Sequence, residues 1–414
     1  MSWRRVIGAA LSVALAFPAA SVAGRYVVVS DDWGAYDDCT GDYDHTSWML
    51  AAPATGRVVA RGLDSAINFA AFSDTEASVV WQAGRDVAYG DLRTGAVRPL
   101  VRLARGADEL GAAVGPHGRT AIVADDRLRV TLVGRSRGRI VRHTFRSGYD
   151  EIGELGLSSD GRFAWYETRD LHVHAVRSVG SGRGLLLRTD EPLAWAPAGD
   201  RLAYVQGDHL LVLDMRMRRT VLDMSLPTEF GLGAATWSPD GRFIAVDTFV
   251  VDVAAQQVVQ LPPGMDPFRW RPRRGHQLTR TDGNGDGDVV DVARATVLWR
   301  RARLNQFDWD PSGRWLAGDG KIVTGAGRQV AVPRLFTTLW RNSGTGWLAP
   351  GQLWFGGRRK LRVAAPPRFR PHVVLTAPVG HHLDATVMFT ASQAGIRMLE
   401  RRFAGLARAA DCVL

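Results

Sequence analysis

Trp237-Ser238-Pro239-Asp240-Gly241-Arg242-Phe243-Ile244-Ala245-Val246-Asp247 decides how this chain is read. An aromatic strand end runs into a tight Pro-Asp-Gly turn, and an apolar strand follows. Proline presets φ for the second turn position, aspartate bonds its own backbone, and glycine accepts the positive φ that comes next. The same grammar returns with anchors at Phe72, Val114, Leu157, Trp195, Trp237, Trp270, Trp309 and, more loosely, Trp340. Successive spacings are 42, 43, 38, 42, 33, 39 and 31 residues. A period of ~40 residues with several short strands per repeat specifies a β-propeller rather than a sandwich or a helical solenoid.

Three further apolar runs follow Gly241, at 243–246, 250–253 and 258–261. With the strand ending at Trp237 they make one four-stranded blade. The residue before the anchor is often small (Ala71, Ala113, Gly156, Ala194), as innermost strands crowding about an axis require. The anchor aromatic packs between neighbouring sheets. Upstream, residues 26–30, 47–51 and 57–60 read as strands that lack an anchor strand; downstream, 384–390 lacks followers. Together they complete one blade and leave no sheet edge bare. The expected fold is an all-β propeller of seven or eight four-stranded blades over residues 24–391, its ring closed by N- and C-terminal strands. Residues 392–414 read as an amphipathic tail, apolar at Ile396, Met398, Leu399, Phe403 and Leu406.

Residues 1–23 have the form of an export signal: Arg4 and Arg5, an apolar run over 6–17, and Ser21-Val22-Ala23 before Gly24. That run is shorter than the ~18–20 residues a membrane span needs. The expected location of the mature chain is periplasmic or extracellular. The remaining chain, within a total of 414 residues that are 46% hydrophobic, has room for a large core.

The net charge of +10 comes almost wholly from arginine, with lysine only at Lys321 and Lys360. The arginines are scattered, several just after a turn glycine (Arg119, Arg162, Arg242, Arg314), which fits solvated strand faces. A basic exported protein suits a protein or an anionic envelope polymer as partner, and export argues against nucleic acid. Cys39 and Cys412 stand near opposite ends and can pair in an oxidising compartment. Such a bridge would lock the ring closure, at up to ~5 kcal/mol on the loop-entropy estimate. Two unrelated thiols are the alternative.

The sharpest chemical motif is Asp282-Gly283-Asn284-Gly285-Asp286-Gly287-Asp288-Val289-Val290-Asp291. Oxygen ligands at positions one, three and five with glycine at six are what a calcium loop needs. Position twelve is Ala293 instead of a bidentate acid. A structural Ca2+ would therefore use Asp282, Asn284, Asp286, Asp288 and Asp291; a metal-free Gly/Asp hairpin is the competing reading. A second pattern places acids ahead of innermost strands, at Asp108-Glu109, Asp150-Glu151, Asp190-Glu191, Glu229 and Asp266. Glu109, Glu151, Glu191 and Asp266 are then candidates for an acidic channel rim, set against loop carboxylates that merely pair with arginines. Gly134-Arg135-Ser136-Arg137-Gly138 fits a nucleophile pattern but reads as a hairpin, lacking strand-to-helix context. His172 and His174 alternate on one strand without a third ligand, and His381-His382 reads as surface.

With Trp237 to Arg242 matching outright, and the Trp195 and Trp309 units closely, the repeats resemble the TolB-type, WD-like β-propeller family. The Leu157 unit keeps Ser-Asp-Gly-Arg but lacks the tryptophan and proline; the Phe72 and Trp340 units depart most. The resemblance implies an exported binding or scaffolding propeller and names no partner. The expected function is non-catalytic: a monomer that holds a protein or envelope polymer through one face. The competing class is a propeller enzyme, a glycan lyase or hydrolase using channel-mouth carboxylates. Acids are available for it, but no histidine recurs at a comparable repeat position, so binding leads.

Overall fold

The computed structural model describes residues 24–410 apart from 38–41, 64–66, 74–75, 84, 108, 116–117, 137–138, 149–151, 169–172, 190, 228–231, 264, 283–284, 302–306 and 343–344. The proposed export signal, Cys39 and Cys412 lie outside the described residues. Eight consecutive repeats each form one four-stranded antiparallel sheet, in chain order from inner to outer strand. Their inner strands are Ile67–Ser73, Glu109–Val114, Leu155–Leu157, Ala194–Trp195, Thr236–Trp237, Asp266–Trp270, Asp308–Trp309 and Thr345–Ala349. A ninth blade takes its inner strand, His382–Ala391, from the C-terminal end and Gly24–Asp37, Asp42–Ala52 and Arg57–Leu63 from the N-terminal end. The ring is thus closed as expected, with Gly24 opposite Ala391 and Asp32 opposite His382.

Nine blades replace the expected seven or eight. Each anchored repeat is a complete sheet by itself, so the blade shared by the two termini adds to the anchored ones. The core agrees. Nine apolar clusters among the described residues each lie in one seam between adjacent blades. Ile244 and Val251 of blade 5 meet Val205 and Leu210 of blade 4, for example, and none of the four is more than 1% exposed. Emptying such a site by Ile244→Ala costs about 2–5 kcal/mol.

Three tryptophans stitch seams with their indole N–H as well as their rings. Trp237 donates to the Ala194 carbonyl at 3.0 Å, Trp270 to Thr236 at 3.0 Å, and Trp347 to Asp308 at 2.9 Å. In each case the acceptor directly precedes the anchor of the previous blade. That regularity identifies Trp347, 38 residues after Trp309, as the eighth anchor. Trp340 lies instead on helix α1, Arg334–Asn342, in the connection between blades 7 and 8. One helical turn separates it from Phe336, and both rings pack into the same seam against Phe355. An aromatic filling that seam from a helix mimics an anchor in the sequence.

The defining turn is closed by polar side chains. Ser238 Oγ donates to Asp240 Oδ1 at 2.6 Å and accepts from the Phe243 amide, while Asp240 also accepts from the Arg242 amide. Gly241 has φ +69°. Blade 3 repeats the pattern through Ser158, Asp160 and Phe163. Blade 7 exchanges the roles: the buried Asp310 accepts from the Trp315 amide and from Ser312 Oγ. The recurrent motif is architectural.

An antiparallel meander has two ends, and they differ here. First-to-second and third-to-fourth hairpins turn at one face, which we call the turn face. Second-to-third hairpins and blade-to-blade connections gather at the other, the connection face. Helix α2, Gln393–Ala410, leaves the turn-face end of the closing strand. Ser392 caps it through Oγ to the Gly395 amide, and Ile396, Met398 and Leu399 bury against Leu92 and Trp81. It seals the seam between the ninth and first blades.

Candidate functional site

Among the described residues, three cavities open on the connection face, at different seams. The first, about 530 Å³, lies between blades 5 and 6 and is lined by Phe249, Pro262, Met265, Asp266, Arg280 and Asp282. It brings together one acid expected on the rim, Asp266, and one expected in the calcium loop, Asp282. They meet because Asp266 pairs with Thr281, the neighbour of Asp282.

The other loop acids have different employment. Asp288 lies directly opposite Arg280 across the strand pair. Arg280 Nε and Nη2 donate to its two carboxylate oxygens at 3.0 and 2.8 Å, in a fork-to-fork pair. Nη1 donates to the Pro262 carbonyl, and both side chains are sealed from water at 1% and 0% exposure. Asp291 is the cap of a 3-10 turn: it accepts from the Arg294 amide and lies 3.3 Å from His276 Nε2. Asp282 Oδ1 accepts from the Asp286 amide at 2.7 Å, closing the hairpin. Asn284 lies outside the described residues. Among the described residues no group of three or more His, Cys, Asp or Glu side chains is placed to hold a metal.

The expected rim acids stand on separate blades. Glu109 begins the inner strand of blade 2, opposite Asp125. Glu191 lies in the connection to blade 4, where its backbone is held by Thr189 Oγ1, and Asp266 begins blade 6. Glu151 lies outside the described residues. None of the three cavities pairs two of these acids. Ser136 ends a strand opposite Arg139 in a hairpin, as read. His174 is buried 6.0 Å from the Trp165 ring, and His172 lies outside the described residues.

Two further cavities were not anticipated. About 630 Å³ opens between blades 1 and 2, where Arg85 donates to the Leu103 carbonyl, Arg142 to that of Leu100, and Arg129 to Asp125. About 690 Å³ opens where blade 8 meets the closing blade. There the second-to-third connection of blade 8 reaches across as a short strand, Gly357–Arg358, pairing with His382 and Leu383. Arg359 continues the crossing at φ +64°, its amide donating to His381 and its carbonyl accepting from Ala377. The lining comprises Arg358, Arg359, Lys360, Arg362, His381 and His382 with no carboxylate. Behind it His381 Nδ1 lies 2.8 Å from Asp31, and His382 Nε2 3.3 Å from Asp384. Sequence spacing does not reveal this group, because about 20 residues separate its two halves.

The inner strands of blades 6 and 7 depart from the small-residue rule: Arg269 and Asp308 precede their anchors. Burial pushes the Asp308 carboxyl above its ordinary value, while Arg269 and the Trp309 amide pull it down. Asp308 is nonetheless exposed by area. Desolvation responds to protein atoms several ångströms deep, so the upward direction holds although water touches the outermost layer. Comparing positions before the anchors would have found this pair.

No protein-family model matches the chain, and no curated protein matches it. Among solved structures, a chain of the "Crystal Structure of Mitotic Checkpoint Complex" is similar over 64% of this chain and 87% of its own length. The identity is 14% and the TM-score 0.36. So loose a likeness says nothing of function, and the propeller is read from this chain's own sheet topology. Among the described residues no helix is long and apolar enough to cross a membrane.

Proposed function

We propose that this chain is an exported, non-catalytic propeller of the TolB-like kind that holds a protein or envelope polymer through its connection face. One observation carries the reading: among the described residues, three cavities open on that face, each at a different seam. The opposite face is made of tight hairpins and carries the docked helix α2. Propellers commonly differ in function through the variable connections on a constant frame. The signal-like residues 1–23, the Cys39–Cys412 bridge, a calcium ion held by the Asp282 loop and the monomeric state belong to the same proposal.

Site-specific photocrosslinking tests the face assignment. Asp208 lies in the second-to-third hairpin of blade 4, on the connection face, and Met217 in its third-to-fourth hairpin, on the turn face; both are exposed. A crosslinker at Asp208 is expected to capture envelope material that one at Met217 does not. Equal capture from both positions, or capture from Met217 alone, defeats the reading.

A further inference from the structure

The cavity between blade 8 and the closing blade has a charge problem that its surroundings leave unsolved. Arg358, Arg359, Lys360 and Arg362 bring four permanent cations to one wall. Arg359 is partly engaged, its Nε reaching the Ala377 carbonyl at 3.4 Å. Arg358, Lys360 and Arg362 make no ion pair with any described residue. Their cross-strand neighbours explain why: Lys360 stands opposite Thr376 and Arg362 opposite Phe355 and Val373, none of them acidic. Of the nearby carboxylates, Asp31 and Asp384 face His381 and His382, and Asp32 stands opposite His382 on the far side of the closing strand.

Other arginine-rich places on this protein have carboxylates among them. In the cavity between blades 1 and 2, Arg129 is gripped by Asp125 at 2.7 Å and Arg102 lies 3.7 Å from Asp86. In blade 6, Arg280 is matched by Asp288. Like charges held together on a folded surface oppose folding unless a counter-charge joins them. Here the backbone works to hold them together: the crossing strand places Arg358 and Lys360 beside the closing blade, and Arg359 adopts a left-handed conformation to do so.

We propose that this cavity is a binding site for a ligand carrying two or more phosphate charges, of the diphosphate type. A single carboxylate would neutralise only one of four permanent cations. Guanidinium groups match phosphate oxygens two at a time, and lysine adds a mobile point charge. At about 690 Å³ the cavity has the size of a small-molecule site. The assignment rests on the reading of the connection face as the binding face, and it names the chemistry of one site there.

Calorimetric titration of the whole chain with pyrophosphate, beside acetate, tests it. Pyrophosphate is expected to bind, acetate not. Arg358→Gln and Lys360→Gln should each weaken pyrophosphate binding about tenfold, the scale of one charge-assisted hydrogen bond. Arg102→Gln, in the cavity between blades 1 and 2, should leave it unchanged. Melting temperatures of the variants establish that they fold. Absence of pyrophosphate binding, or binding that Arg358→Gln and Lys360→Gln do not weaken, overturns the proposal. If pyrophosphate fails while crosslinks from Asp208 persist, only the phosphate site falls; if both fail, the face assignment falls with it.

Discussion

Blade 6 and blade 8 both carry dense charge on the connection face, and the structure treats the two oppositely. In blade 6 the acids look in sequence like an open ligand set, yet Asp288 meets Arg280 across the strand and Asp291 caps a turn. In blade 8 the cations look like surface arginines, yet Lys360 and Arg362 have no acid opposite. The lesson concerns register. A charged side chain on a strand is neutralised by whatever the neighbouring strand sets opposite it, so charge density along the chain does not identify a site.

The largest effect should come from breaking the blade 6 pair. Asp288→Ala leaves the Arg280 guanidinium buried and unpaired, and should cost about 3–5 kcal/mol in urea unfolding. Asp282→Asn, at the partly exposed hairpin, should stay within about 0.5 kcal/mol. Equal costs would mean that the two loop acids are not divided as described.

Calcium gives the next test. An ion on Asp282, Asn284 and Asp286 would stabilise metal-stripped protein by about 2.7 kcal/mol at a hundredfold excess over Kd. Asp282→Asn should abolish that gain. A melting temperature indifferent to calcium removes the ion from the proposal and leaves the hairpin.

A smaller effect is expected at blade 8, with the opposite sign. Arg358→Gln with Lys360→Gln relieves repulsion, so the melting temperature at low salt should rise while phosphate binding falls. The rise should fade toward ~1 M salt, where screening is nearly complete. A fall at low salt would show that these cations already have counter-charges.

Smallest is the effect at Asp308, where a blade 6 cation faces a blade 7 acid. Its folded pKa is raised, chiefly by burial. The folded protein therefore binds this proton more tightly than the unfolded chain, and stability declines as pH rises from the ordinary carboxylate value through the raised one. Asp308→Asn should remove that decline and leave a slightly higher melting temperature at neutral pH. A steeper loss of stability in the variant would reverse the sign assigned here.

Much of the fold was legible because its signals are local. Trp237 to Arg242 encodes a turn whose hydrogen bonds lie within six residues. The termini could be matched as one blade because each lacked what the other had. The eighth anchor was not legible: Trp340 and Trp347 are both aromatic, and only the folded chain separates them, with Trp340 on a helix and Trp347 on an inner strand whose indole bonds Asp308. The candidate sites were less legible still. Asp288 has ligand chemistry in any one-dimensional reading, and only its partner eight residues back withdraws it.

By itself the sequence determined the class of this protein: a ring of four-stranded blades, closed by its two ends, with turn and strand residues agreeing at most repeats. Tertiary structure decided the number of blades, which charges are neutralised, and where uncompensated charge collects. The physical reason is range. Turns and strands follow from neighbours in the chain, whereas electrostatic compensation and ring closure depend on groups that only the folded backbone brings within hydrogen-bonding distance.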